Sequence, residues 1–219
     1  MKHNFNPMLK ITVLLCFLSL LSNPAFAGTS AANPPGMKEM YTFANSQLPR
    51  ILAFIPVDRE HNYGFKHREE FNRAGLGIPY QEYSLDSELP TGYWRIPVTV
   101  NGENRALIRL IKKNGKWTFS GFGAALLASE LGYFERGFGE TKPVSGRIVR
   151  DFDMQCDYVQ FNQKTGAKLE GLLYPLESAS RVLHRLSGEI TARSYTLDEI
   201  RELRSGILRL TRKDNLETQ

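Results

Sequence analysis

VNGENRALIRLIKKNGKW, residues 100–117, carries two Asn-Gly pairs thirteen positions apart, with alternating apolar and basic residues between them. Asn and Gly adopt at low cost the positive φ that a two-residue hairpin turn demands, so Asn101-Gly102 and Asn114-Gly115 each predict a tight reversal. Three strands then run as an antiparallel meander. With both turns tight, Val98 pairs with Arg105, Ile96 with Leu107 and Trp94 with Arg109. Beyond the second turn Leu110 pairs with Phe119 and Lys112 with Trp117. One face gathers Tyr93, Pro97, Ala106, Ile108, Leu110, Trp117 and Phe119 and is expected to be the core face. The other gathers Trp94, Ile96, Val98 and Leu107 with Arg105 and Arg109, and is expected to be partly covered or partly wet.

Upstream, Met37, Met40, Tyr41, Ala44, Leu48, Ile51, Leu52 and Ile55 recur at three- and four-residue steps, the spacing of one helical face. Pro49 either kinks this helix or begins a second one at its first turn, and Pro56 ends it. Residues 57–65 read as loop. KHREEFNRAG (66–75) reads as a short helix capped by Gly75, and IPYQEYSL (78–85) as a strand. After the meander, GAALLASELG (123–132) reads as a short helix and GETKPVSG (139–146) as a linker. RIVRDFDMQCDYVQF (147–161) and AKLEGLLY (167–174) follow as strands around the turn QKTG, then LESASRVLHRL (176–186) as a helix. Thr196 with Glu199 makes a capping box for a final helix over 196–213, with Leu197, Ile200, Leu203, Ile207 and Leu210 as its apolar stripe.

Two antiparallel β groups, each followed by a helix, predict an α+β fold: antiparallel β-meander sheets packed by short helices, with N-terminal and C-terminal amphipathic helices. Residues 37–219 are expected to form a single domain of two β-plus-helix halves, 37–138 and 146–190. The second half is too small to bury a core alone, so the halves are expected to share one.

Ahead of this domain, residues 1–27 follow the grammar of a secretory signal peptide. Lys2 and Lys10 give a positive start, Ile11 to Leu21 an apolar run, and Ala25-Phe26-Ala27 a small-residue cleavage signature. The run is short of the roughly 20 apolar residues that cross a bilayer, so no transmembrane segment is expected after cleavage. GTSAANPPG (28–36) reads as a flexible leader. The protein is therefore expected to be exported, periplasmic or secreted. Residues 1–27 hold two lysines and no acid, so 28 basic and 23 acidic residues become 26 and 23, with no basic run longer than two. That balance does not point to nucleic acid. Cys156 remains alone after cleavage and forms no internal bridge, so packing must hold the fold.

Each candidate for chemistry meets a competing reading. Cys156 with His184 as base would be a nucleophile pair, but Phe152, Met154, Cys156 and Tyr158 share strand parity and read as core, while His184 points away from the buried stripe of its helix. Asp151, Asp153 and Asp157 would occupy the opposite face of that strand. Asp151 with Asp153 could divide acid and base roles in a hydrolase, although Arg147 and Arg150 beside them fit a charged outward face. His61, His67 and Glu70 show no metal-ligand spacing, so no metal is expected. SGFGAALLASEL (120–131) lacks the full phosphate-loop fingerprint and follows an antiparallel strand, so its glycines read as a tight turn and no cofactor is expected. Trp94 opposite Arg109, with Arg105 two places along, could instead stack a planar or anionic group on the sheet face. The expectation is an exported, non-catalytic binding or accessory protein of a bacterial-type cell envelope. It would engage a protein or peptide partner through a sheet face or edge, with Trp94, Arg105 and Arg109 as the contact. A carboxylate-pair hydrolase and a structural envelope component are the alternatives.

Overall fold

The computed structural model describes residues 36–137, 146–161, 171–187 and 193–206. The expected signal peptide, the leader up to residue 35, the linker before Gly146, the turn QKTG and the final helix beyond residue 206 lie outside the described residues. The fold is α+β, with a mostly antiparallel sheet and several helices. Helix α1 spans Met37–Ala53 and carries Pro49 inside it. Two 3-10 turns follow, Glu60–Tyr63 and Arg68–Arg73. The second ends at Ala74, so Gly75 is not a helix cap but the middle of a short strand, β1 (Ala74–Leu76).

Next come β2 (Tyr80–Ser84), β3 (Pro90–Val100), β4 (Glu103–Lys113), β5 (Lys116–Gly123) and helix α2 (Ala125–Arg136). Strands β6 (Gly146–Asp151), β7 (Cys156–Phe161) and β8 (Tyr174–Pro175) precede helix α3 (Glu177–Ser187). Residues 197–206 are helical and are termed α4. All strands among the described residues belong to one eight-stranded sheet, ordered β5-β4-β3-β2-β6-β7-β8, with β1 beside β2 on the flank of β3. The halves join through a parallel pairing of β2 with β6, Tyr80 opposite Gly146 through Ser84 opposite Arg150.

Both Asn-Gly pairs turn as predicted. Asn101, Gly102, Asn114 and Gly115 all have positive φ, the signature of a two-residue reversal. Across the second turn the expected register is observed, Leu110 with Phe119 and Lys112 with Trp117. Across the first it is not. A bulge between Val98 and Thr99 leaves Arg105 as the extra residue of β4, so Val98 faces Ala106, Ile96 faces Ile108 and Trp94 faces Leu110. Since strand side chains alternate, that single insertion exchanges the partners on each face.

The resulting core face carries Ile96, Val98 and Val100 with Ala106, Ile108 and Leu110. Against it α1 buries Met37, Met40, Ala44, Leu48, Ile51 and Leu52. Each fully buried Val, Leu, Ile or Met among them contributes about 1.5–3 kcal/mol by leaving water. On the same face of the other half, Val149, Cys156 and Tyr158 pack with Ala179 and Leu183 of α3 and Ile200 of α4. The opposite sheet face receives α2, whose Ala128 and Leu131 meet Tyr80, Leu107, Ile148 and Val159.

The stretch 147–161 is a hairpin rather than one strand. Asp151 Oδ1 accepts the backbone N–H groups of Asp153 and Met154, both at 3.0 Å, which reverses the chain at the end of β6. Gln155 completes the turn at φ 51°.

Candidate functional site

The three residues expected to form a contact surface do not come together as one. Trp94 lies half-buried against the α1 side of the sheet. Arg109, paired with Arg95 on β3, lies on the opposite face. Its guanidinium covers the ring of Tyr93 at 3.7 Å, not Trp94. Arg105 sits in the bulge and is committed to Glu70 at 2.9 Å and Glu103 at 2.6 Å. The pairing of Trp94 with Arg109 fails because it requires the register without the bulge.

Arg109 instead belongs to a charged cluster on the α2 side. Glu82, fully buried on β2, is its centre. Arg95 donates to Glu82 Oε2 through Nε at 2.9 Å and Nη2 at 2.5 Å. Arg109 Nη2 and Thr91 Oγ1 donate to Oε1 at 3.1 and 3.0 Å. Burial alone pushes the Glu82 carboxyl up, but the charges and hydrogen bonds of Arg95, Arg109 and Thr91 outweigh it and hold it below the ordinary carboxylate range. The cluster continues to Asp157, whose Oδ1 lies 3.8 Å from Arg150 Nη1, too far for a hydrogen bond. Burial pushes the Asp157 carboxyl up. Sequence reasoning missed Glu82 and Arg95. Each is a charged residue within an alternating strand, a pattern that reads as solvent-facing until strand order places both strands inside the sheet.

The other candidates are also placed. Asp151 and Asp157 do not share a strand face, since Asp151 is opposite Cys156 and Asp157 opposite Arg150. Asp151 is buried in its turn, and Asp153 projects from that turn onto Arg204. Neither Arg147 on β6 nor Asp157 on β7 lies on an open outward face, because both side chains are buried within the sheet's packed interior. Cys156 is buried with its thiol pushed up to about 12, chiefly by desolvation, and its Sγ is 3.9 Å from Tyr158 Oη. His184 is exposed on α3. His67 Nδ1 lies 3.3 Å from Glu69, and Glu70 accepts from Lys66 N and Arg105. Among the described residues no group of three or more His, Cys, Asp or Glu side chains is arranged to hold a metal, and no helix is long and apolar enough to cross a membrane.

Beside α1 and β5 opens an apolar groove of about 550 Å³, lined chiefly by Ile51, Phe54 and Ile55 on one side and Tyr63, Phe119 and Phe122 on the other. Tyr63 and Phe122 stack at 5.6 Å within its lining. Phe54 is 73% and Phe119 41% exposed. The groove exists because β5 bulges between Phe119 and Gly121, leaving Ser120 unpaired and returning Phe122 to the face that carries Phe119. Arg50 and Gln47 supply its polar rim. Its size and lining fit an apolar side chain or small apolar ligand, with few polar groups to orient it. The chain matches no known protein family, no curated protein and no solved structure.

Proposed function

We propose that this chain is an exported, non-catalytic binding protein of a bacterial-type cell envelope that engages an extended peptide segment of a partner protein along β5. The observation that carries this reading is the apolar groove beside an edge strand. Among the described strands β5 pairs with β4 on one side only, and the groove with exposed Phe54 and Phe119 runs alongside it. A peptide laid against such an edge takes main-chain hydrogen bonds from the strand and turns every second side chain toward the groove. Burying the two phenylalanine rings contributes about 25 cal/mol per Å² of apolar surface.

The grammar of residues 1–27 supports export. The non-catalytic part rests on how the candidate groups are already engaged: the Asp151 carboxylate holds its turn, and the Cys156 thiol is buried with its pKa raised. The test replaces Phe119 or Phe54 with a photo-crosslinking phenylalanine derivative in the native host. Both positions should capture one and the same partner, through an apolar segment of its chain, while the derivative at Tyr133 on α2 captures none. Equal capture at all three positions, or none at Phe119 and Phe54, rejects the groove as the contact.

A further inference from the structure

Arg95 and Arg109 stand directly opposite each other on β3 and β4, an arrangement of like charges that destabilises a sheet unless it is compensated. Glu82 is the carboxylate that hydrogen-bonds both, one negative charge against two positive ones; Asp157 acts on them only at longer range and lies nearer Arg150. Arg95 occupies Glu82 with two nitrogens, whereas Arg109 reaches it through Nη2 only. The Nε of Arg109 is buried without a hydrogen-bond partner among the described residues. A buried donor without an acceptor costs about 1–3 kcal/mol.

Next to Arg109 the surface is hollow. Its partner on β5 is Gly121, and Gly123 faces Leu107, so the two β5 residues paired across from this part of β4 carry no side chain, and the small bulged Ser120 lines the space beside them. A Cβ built on either glycine would meet nothing within 4 Å. The result is a groove of about 250 Å³ whose lining includes Arg95, Arg109, Ser120, Gly121 and Ala124. Ala124 is the residue from which α2 starts. That helix has no side-chain cap and no acidic residue in its first turn, so the positive end of its dipole is not offset by its own sequence. The glycines of SGFGAALLASEL therefore do more than turn the chain: they keep open the wall of a cationic groove.

We infer that this groove is an oxyanion-binding site, taking the carboxylate or phosphate group of a small ligand onto Arg109 beside the start of α2. The planar fork of a guanidinium matches either group. The ligand supplies a further negative charge against the two guanidinium groups, taken by the exposed part of the Arg109 side chain, which is 36% accessible; the buried Nε reports on it as a neighbour. The site is on the sheet face opposite the apolar groove and does not depend on it.

The test titrates the full chain with inorganic phosphate and, separately, with acetate, each against chloride at constant ionic strength. The arginine side-chain Nε–H resonances are followed by NMR. The Arg109 resonance should shift saturably with at least one anion. The midpoint should weaken at least tenfold in Gly121→Val, which fills the groove without removing a charge, and binding should be lost in Arg109→Gln. Arg73→Gln, away from the groove, should bind as the parent does. Saturation by phosphate with acetate silent assigns a phosphate-bearing ligand, and the reverse assigns a carboxylate. Absence of saturation with both anions, or an unchanged midpoint in Gly121→Val, overturns the inference. Should Arg109→Gln fail to fold, Gly121→Val alone decides.

Discussion

Glu82 and Asp157 are two carboxylates of one cluster whose environments act on them in opposite directions. Glu82 is held ionised, so its contribution to stability is present above its unfolded pKa and is lost as pH falls through its lowered folded value. Asp157 has the other sign. Its ordinary value of 3.8 is raised on folding, first by burial and also by Glu82, against the opposing pull of Arg150, Arg95 and Arg109. The folded state thus binds its proton more tightly than the unfolded state. Stability falls as pH rises from the unfolded value to the raised folded one, and the loss is fully present above both. Asp157→Asn removes the titration and keeps the shape. It should stabilise the protein at pH 7 by about 1 kcal/mol, the low end of the cost of an unsatisfied buried polar group. At pH 3, where aspartate is already protonated in both states, the gain should vanish. Urea unfolding of the parent and the variant at the two pH values measures both, and an equal effect at both would show that the charge of Asp157 carries no penalty.

At the level of elements, the bulge at Arg105 governs which residues meet. Its backbone projects toward Gly64, the residue after the first 3-10 turn, which sits at φ +82°. A Cβ there would be driven into the Arg105 carbonyl oxygen and would also crowd Ala125. Gly64→Ala therefore combines a left-handed backbone conformation with an overlap against main chain. It should cost about 3 kcal/mol, read as a lower urea midpoint at unchanged slope. A variant as stable as the parent would mean that the loop and the bulge separate freely. The same bulge marks how far the sequence was legible. The hairpin corners carry Asn-Gly, a composition with a mechanism, and both were readable. The second register followed from its turn. The first did not, because the extra residue is an ordinary arginine within an unbroken alternation, and nothing in its type announces an insertion. One position of slip parted Trp94 from Arg109. The β6–β7 turn was hidden for a related reason: Asp151 caps it with a side chain and Gln155 takes the positive φ, with no glycine or proline at the corner.

Across the whole molecule, α4 is tied back to the sheet region by two arginines, chiefly Arg204. Arg204 pairs with Asp86 after β2, with Asp153 in the β6–β7 turn, and with Asp151 at 3.6 Å. Arg201 adds a pair with Glu88 at 2.6 Å. The start of α4 is capped reciprocally, Thr196 N to Glu199 Oε2 at 2.7 Å and Glu199 N to Thr196 Oγ1 at 3.2 Å. Arg204→Met should cost about 2 kcal/mol, less than a fully buried pair because Asp86 and Asp153 face solvent. Amide exchange over residues 200–204 should accelerate at least tenfold, while amides in β4 accelerate by no more than the loss of global stability allows. Unchanged exchange in 200–204 would show that the apolar side of α4 suffices to hold it. The parallel union of β2 with β6 has a temporal consequence. Tyr80 and Gly146 are 66 positions apart, the difference of their numbers. As the chain emerges, the first meander can zip through its own neighbouring turns, yet the flank of β2 has no mate until far more polypeptide has arrived. Distant pairing is slow, and an unmated flank is sticky toward other chains. The last free flank of β2 in the described sheet is thus closed only by a segment synthesised far later, so residues 80–84 stay open to wrong partners for longer than any strand of the meander.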